Sequence, residues 1–276
     1  MKIGFIGTGI IGRAYAKDFK NRGYEVIQYS LEEKFKDNKD KIKDCEITFI
    51  AVPTPTLPKT GFDFQNIDEA LKLIGQGKIA IIKSTILPGT TDSLQEKYPD
   101  IFLFHSPEFL RARSAMDDAK KPERNIIGYT ERSKKFAGKV LSILPEAKYV
   151  AELPAKTAEM IKYAGNVFLT TKVVYANFLF DLCQNLGVDY EDIRQALSHD
   201  KRIGPSHLFV DFEGGRGAGG MCFIKDVEAF KQFCEKSNLD KENINLAQSI
   251  IEKNKQLLKN SGKDLDILSS VYGNDI

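Results

Sequence analysis

Short apolar runs punctuate the first part of the chain at Lys2 to Ile6, Glu25 to Tyr29, Ile47 to Val52, Ile79 to Ile82, Ile101 to Phe104 and Asn125 to Ile127. Runs this short, bounded by turn residues and charges, fit strands covered on both faces. Helical or loop stretches separate them, beginning with Arg13 to Arg22, which stops at Gly23. The alternation predicts an α/β fold with a doubly wound, Rossmann-type parallel sheet.

The pattern changes at Pro154. From Ala155 to Leu186 apolar residues recur at helical spacing on nearly every face, and Gly187 ends the run. At about 1.5 Å per residue this helix is roughly 48 Å long, a length suited to connecting two bodies. Its most apolar part, Val167 to Cys183, contains Lys172, Asn177 and Asp181. Those polar side chains exclude a membrane span and predict a buried helix. Helical patterns follow at Asp189 to Ser198, Asp226 to Ser237 and Asp240 to Asn260, while Ser261 to Ile276 is weakly patterned and is expected to fray. The expected divisions are residues 1–153 for the sheet domain, 154–187 for the connecting helix and 188–276 for an all-helical domain.

Composition narrows the partners. Forty basic and thirty-eight acidic side chains give a net charge of +2 in mixed runs, which argues against nucleic acid. The four cysteines form no CxxC pair and there are three histidines, so no metal site is expected and a reducing, cytoplasmic compartment fits best. Met1 leads straight into the first apolar run with no secretory pattern.

Candidate chemistry begins at Gly7-Thr8-Gly9-Ile10-Ile11-Gly12, a GxGxxG between strand and helix. In that context Gly7, Gly9, Ile10, Ile11 and Gly12 point to a dinucleotide pyrophosphate on helix amides, the alternative being a glycine-rich turn without ligand. Ser30 stands where an acid would hold the adenosine ribose, but Glu32 and Glu33 follow and would repel a 2′-phosphate, so NAD is expected rather than NADP. Three loops share the carboxyl edge of the sheet: Val52-Pro53-Thr54-Pro55, Lys83 to Thr90, and Ser106 to Arg111. Each is either turn punctuation or a ligand loop.

Lys162 and Asn166, one turn apart on the long helix, share a face, and a lysine in so apolar a helix calls for a partner. Gly214 to Asp226 (GGRGAGGMCFIKD) sets Cys222 at a helix entrance beside Lys225. The thiol is either a small packed residue or a thiolate favoured by the helix end and the cation.

Taken in order, GTGIIG, VPTP, KSTILPGT, SPEFLR, AEMIKYAGNVFL, RIGP and GAGGMCFIKD make the chain resemble the UDP-glucose/GDP-mannose dehydrogenase family over nearly its whole length. The resemblance implies two-step, NAD-dependent oxidation of the C6 alcohol of a nucleotide sugar to a carboxylate, and a homodimer formed through the helical domain. It implies Cys222 as covalent nucleophile, Asp226 as proton acceptor through water, Lys162 and Asn166 for the developing negative oxygen, Glu108 for thioester hydrolysis and Thr85 for positioning. It also assigns Val52, Pro53, Thr54, Ser84, Thr85 and Ser30 to the cofactor. Phe109, Leu110, Arg111, Arg202, Gly219 and Lys225 go to the substrate, with Arg202 reaching across the dimer. Ala112 stands where the family has a second glutamate, and Ala218, Met221 and Ile224 where it usually has Phe, Ser and Pro. The sequence ends where the family's nucleotide-binding third domain would begin. Two other readings stay open: a two-electron 3-hydroxyacid dehydrogenase, in which Cys222 is incidental, and a non-catalytic NAD-binding subunit.

Overall fold

The computed structural model describes residues 1–57 and 61–273. In chain order the regular elements are β1 (Lys2–Ile6), α1 (Ile10–Asn21), β2 (Glu25–Tyr29), β3 (Ile47–Ile50), β4 (Thr56–Leu57), β5 (Gly61–Phe62), α2 (Gln65–Leu71), β6 (Ile79–Ile82), α3 (Thr90–Lys97), β7 (Phe102–His105), α4 (Ala115–Lys120), β8 (Arg124–Tyr129), α5 (Ala137–Ile143) and β9 (Tyr149–Pro154). Helices complete the chain: α6 (Ala155–Leu186), α7 (Tyr190–His199), α8 (Gly220–Glu235), α9 (Lys241–Ser261) and α10 (Leu265–Tyr272). No helix among the described residues is long and apolar enough to cross a membrane.

Two compact units share these elements. The first comprises Met1–Thr54 and Asp63–Lys162; the second comprises Pro55–Phe62 and Tyr163–Ile276.

In the first unit a seven-stranded sheet has the order β2-β1-β3-β6-β7-β8-β9. β1 pairs with β2 on one side and β3 on the other, so the winding reverses at β1, the place where α/β sheets bind ligands. The expected all-parallel sheet needs one correction: β8 runs antiparallel to β7, and β9 is parallel to β8. β9 has no counterpart among the expected strands, because its alternation of exposed and half-buried residues, as an edge strand, produces no apolar run. Phe5, Phe19 and Phe49 anchor the core, with ring centroids 5.0 to 5.5 Å apart. Edge-to-face and offset pairs of this kind add about 0.5–1.5 kcal/mol each beyond area burial.

In the second unit α8, α9 and α10 bury Ile224, Leu258, Leu268 and Val271 against one another. The stretch expected to fray is therefore ordered: Ser261 closes α9, and α10 docks its apolar face. Residues 274–276 of that expected tail lie outside the described residues. α7 and α9 are capped by Asp189 and Asp240, whose carboxylates accept from Glu191 N and Asn243 N. A second correction concerns α6. Its middle is not uniformly buried, since Phe168, Tyr175, Phe178 and Leu182 are exposed, as is Leu186 at its end.

Candidate active site

The turn between β1 and α1 is built by close packing. Gly7 has φ of 96°, and a Cβ there would lie 2.2 Å from the Ala51 carbonyl oxygen. A Cβ on Gly12 would lie 2.0 Å from the Gly7 carbonyl oxygen, whereas one on Gly9 would meet nothing. The first and third glycines thus seat the helix, and the second leaves open space at its N-terminus, where amides receive a pyrophosphate. Ile10 is exposed beside that space and Ile11 packs on the core.

Ser30 does not act alone at the end of β2. Thr8 Oγ1 lies 2.7 Å from Ser30 Oγ and donates to Glu32 Oε1 at 2.5 Å, and Arg13 forks onto Glu32 at 2.7 and 2.8 Å. The Thr8 hydroxyl and the Arg13 guanidinium hold the Glu32 carboxyl below the usual carboxylate range. A fixed carboxylate beside the glycine turn accepts ribose hydroxyls and opposes a 2′-phosphate, so these residues fit NAD.

β1, β3, β6 and β7 are parallel, which brings the loops after β3, β6 and β7 to one edge. Ser84 Oγ accepts from Val52 N at 3.0 Å and donates to Val52 O at 2.7 Å, while Thr54 Oγ1 donates to Thr85 O at 2.9 Å. Pro53 O accepts from Asn66 Nδ2 at 2.9 Å. The two loops are therefore stitched together, with Thr85 half-buried.

Glu159, fully buried, completes this edge. Its carboxylate accepts from Gly89 N (2.5 Å), Thr91 N (2.8 Å) and Thr91 Oγ1 (2.5 Å), capping α3 from the first turns of α6. Burial raises its pKa against the pull of these donors.

Buried charge collects around Glu108. Lys162 Nζ, buried, donates to the Glu108 carbonyl at 2.7 Å and lies 5.8 Å from the Phe109 ring centroid, while the Glu108 carboxylate accepts from Leu110 N. Arg124 stacks on the same ring, 3.6 Å from the Phe109 centroid. Lys83 is buried with its ammonium on Ser106 O (3.3 Å) and Ser106 Oγ (3.0 Å), 4.3 Å from the Tyr15 ring centroid. Burial pushes its pKa down to about 8, opposed by the Glu108 charge. His105 is likewise buried and neither ring nitrogen has a partner at hydrogen-bonding geometry; burial and the Lys83 charge push it down to about 3, leaving it neutral. Leu110 packs against the core. Arg111 is exposed and pairs with Asp118, at 2.6 Å.

In the second unit Cys222 is exposed in the first turn of α8, which removes the packed-core alternative. Four residues on, Asp226 is almost wholly buried, with Oδ2 accepting from Asn166 Nδ2 at 2.6 Å and Oδ1 from Lys225 Nζ at 2.5 Å. Gly219 is the N-cap residue of α8, and Arg202 is exposed, forked onto Asp200 within its own turn. The side chain of Ala112 lies outside those described.

Sequence pattern alone does not flag Glu159, Lys83 or His105, nor the Thr8 and Arg13 contacts that fix Glu32. The available signal is a charge set directly against an all-apolar strand at Lys83 and inside an apolar helical turn at Glu159. Each is a position where ionisation has to be compensated.

Residues 29–144 match the NAD binding domain of the UDP-glucose/GDP-mannose dehydrogenase family, and residues 156–256 match its central domain. NAD is the cofactor of the first of these domains. A UDP-glucose 6-dehydrogenase of Pseudomonas aeruginosa is 33% identical over 79% of this chain and 51% of its own length. The chain thus spans about half the length of that curated relative. The structure of a UDP-glucose dehydrogenase from Pyrobaculum islandicum superposes with a TM-score of 0.80 at 27% identity, covering 92% of this chain and 68% of that one. A 3-hydroxyisobutyrate dehydrogenase of Mycobacterium tuberculosis, 13% identical, shares the fold at a TM-score of 0.71 over 98% of this chain and 97% of its own. With the family's NAD binding and central domains matched in order and a fold of the same topology, the chain belongs to the UDP-glucose/GDP-mannose dehydrogenase family.

Proposed function

We propose that the chain oxidises the C6 primary alcohol of a nucleotide sugar to a uronic acid through a covalent intermediate on Cys222. The observation that carries this reading is an exposed cysteine in the first turn of α8, one helical turn before a buried carboxylate held by Asn166 and Lys225. A core cysteine needs no such neighbour, whereas a nucleophile that passes through an alkoxide and a thioester needs charge management within a turn.

When bound, NAD would supply the acceptor for two hydrides, and the turn at Gly7, Gly9 and Gly12 with Ser30 and Glu32 would hold it. The alcohol first loses a hydride from carbon and a proton from oxygen, giving an aldehyde. The Cys222 thiolate adds to that carbon, forming the C–S bond, and the oxygen takes a proton to complete a thiohemiacetal. Loss of a second hydride and that proton gives a thioester, and water then breaks the C–S bond, returning the thiol and releasing the acid. The balance is one alcohol, one water and two NAD giving one carboxylate, two NADH and three protons.

Within this sequence Asp226 receives protons through water, and Asn166 orients the substrate oxygen. Lys162 stabilises the negative oxygen, and Glu108 assists hydrolysis. Thr85 positions the substrate; Phe109, Leu110, Arg111, Gly219, Lys225 and Arg202 contact it. A homodimer is supported by the exposed apolar face of α6, where Phe168, Tyr175, Phe178, Leu182 and Leu186 fall within an arc of about 80° at 100° per residue. A thiol that has to stay reduced fits a cytoplasmic location.

Incubation with UDP-glucose and NAD tests the reading. Acid is expected from the wild type, and Cys222→Ser is expected to bind NAD normally while forming none. Acid formation by Cys222→Ser at the wild-type rate would defeat it. One NADH per substrate, unaffected by Cys222→Ser, would move the assignment to a two-electron hydroxyacid dehydrogenase, and tight NAD binding with no turnover over a panel of nucleotide sugars to a non-catalytic subunit.

A further inference from the structure

The glycine loop before Cys222 is held almost residue by residue by side chains from α9 and the turn after it. Ser261 Oγ accepts from Arg216 N at 3.0 Å. Asn254 pairs with both backbone groups of Ala218, accepting from its N–H at 2.7 Å and donating to its carbonyl at 3.0 Å. Lys263, only 7% exposed, sends Nζ to Phe212 O at 2.5 Å, Gly217 O at 3.2 Å and Gly215 O at 3.5 Å. Asp264 Oδ2 accepts from Gly220 N, the first amide of α8, at 2.7 Å.

Three features show that this is a shaped fit rather than incidental contact. An ammonium has three donors and here meets three carbonyls, a match that a neutral amine, with two, does not make. A Cβ on Gly219 would lie 2.1 Å from Asp264 Oδ2 and 2.6 Å from Lys263 Cε, so a larger residue there would push these two side-chain ends off their present partners. Asp264 also holds the left-handed region, with φ of 51°, a conformation that a non-glycine residue keeps when its surroundings over-determine it.

We propose that Lys263 and Asp264 are positioning residues for Cys222: they fix the glycine loop and the first turn of α8 so that the thiol is presented in one reactive geometry. The inference rests on the nucleophilic role assigned to Cys222. Loop glycines at 214, 217 and 220 have φ of 85°, 95° and 76°, so the segment has wide conformational freedom unless it is tied. The ammonium ties its carbonyls and the carboxylate ties the helix's first amide, and Cys222 follows two residues later.

The test uses the full chain without substrate or NAD, reading iodoacetamide addition to Cys222 across pH by mass spectrometry and hydrogen exchange of the 212–221 amides. Lys263→Met keeps the stem and removes the donors. Asp264→Gly keeps the left-handed backbone and removes the acceptor, while Asp264→Asn keeps both. At pH 7.5 Lys263→Met and Asp264→Gly are expected to slow alkylation at least about threefold. Asp264→Asn is expected to stay within about twofold of wild type. Loss of the Asp264 charge alone would speed alkylation, so slowing in Asp264→Gly reports geometry. Exchange at Gly220 is expected to rise about tenfold in Asp264→Gly and not in Asp264→Asn.

Wild-type alkylation and loop protection in both Lys263→Met and Asp264→Gly would overturn the proposal. Should Lys263→Met fail to fold, the two Asp264 variants decide by the same readouts. If Cys222→Ser still makes acid while the clamp variants slow alkylation, the chemistry fails and the clamp stands; the reverse pattern removes the clamp alone.

Discussion

Replacing Glu159 should damage the sheet edge in proportion to the acceptors removed. Its carboxylate is fully buried and satisfies two backbone amides and one hydroxyl. In Glu159→Ala the Thr91 hydroxyl can turn to another acceptor, but the amides of Gly89 and Thr91 lose theirs, the first in a partly buried and the second in a buried place. At about 1–3 kcal/mol for each stranded donor, plus the void, the loss is about 4 kcal/mol. Glu159→Gln keeps one oxygen for Thr91 and turns an N–H toward Gly89, costing about 1–2 kcal/mol.

For a chain of this size the alanine change corresponds to a fall of about 8–15 °C in the unfolding midpoint. Circular dichroism melting gives the ranking, and hydrogen exchange at Gly89 and Thr91 gives the location. The folded pKa of Glu159 is raised by burial, so its contribution is fullest below the ordinary carboxylate value and declines as pH rises through the folded value. The gap between wild type and Glu159→Gln should therefore narrow as pH rises. An alanine variant within about 0.5 kcal/mol of wild type, or a glutamine variant as damaged as alanine, would refute the capping role.

Two further outcomes follow from buried or fixed charge in the first unit. Lys83 is buried with its pKa pushed down to about 8, so between that pH and the ordinary lysine value the unfolded chain holds the extra proton. Wild-type stability should then rise relative to Lys83→Met by about 2 kcal/mol from pH 8 to 9.5, read from urea midpoints; parallel curves would contradict the burial of that charge. Removing the carboxylate in Glu32→Ala should narrow the preference for NAD over NADP about tenfold in titration calorimetry, and an unchanged ratio would take Glu32 out of cofactor selection.

Much of the fold is legible in hydrophobic period. The first strands, the glycine turn and the limits of the long helix follow from it, because continuous apolar runs and a proline-to-glycine boundary are local signals. Direction is not local, and nothing in Asn125 to Ile127 announces that β8 opposes β7. Burial along α6 is not local either: a helix apolar on every face reads as enclosed, yet Phe168, Tyr175 and Phe178 face outward.

The candidate site divides similarly. Cys222, Lys162, Asn166 and Asp226 stand out by residue type and spacing. Lys263 and Asp264 do not, since a Lys-Asp pair after a glycine reads as solvated and acquires meaning only from the carbonyls and amide it meets. Glu32 illustrates an intermediate case, visible as an acid near Ser30 but identifiable as the fixed carboxylate only through Thr8 and Arg13.

A four-electron oxidation through a cysteine thioester is read out by electron stoichiometry. With UDP-glucose as the probe and NAD in excess, NADH formed is measured against substrate consumed and acid produced. Two NADH are expected for each acid, with no acid from Cys222→Ser; one NADH per substrate, unchanged in Cys222→Ser, would contradict the thioester route.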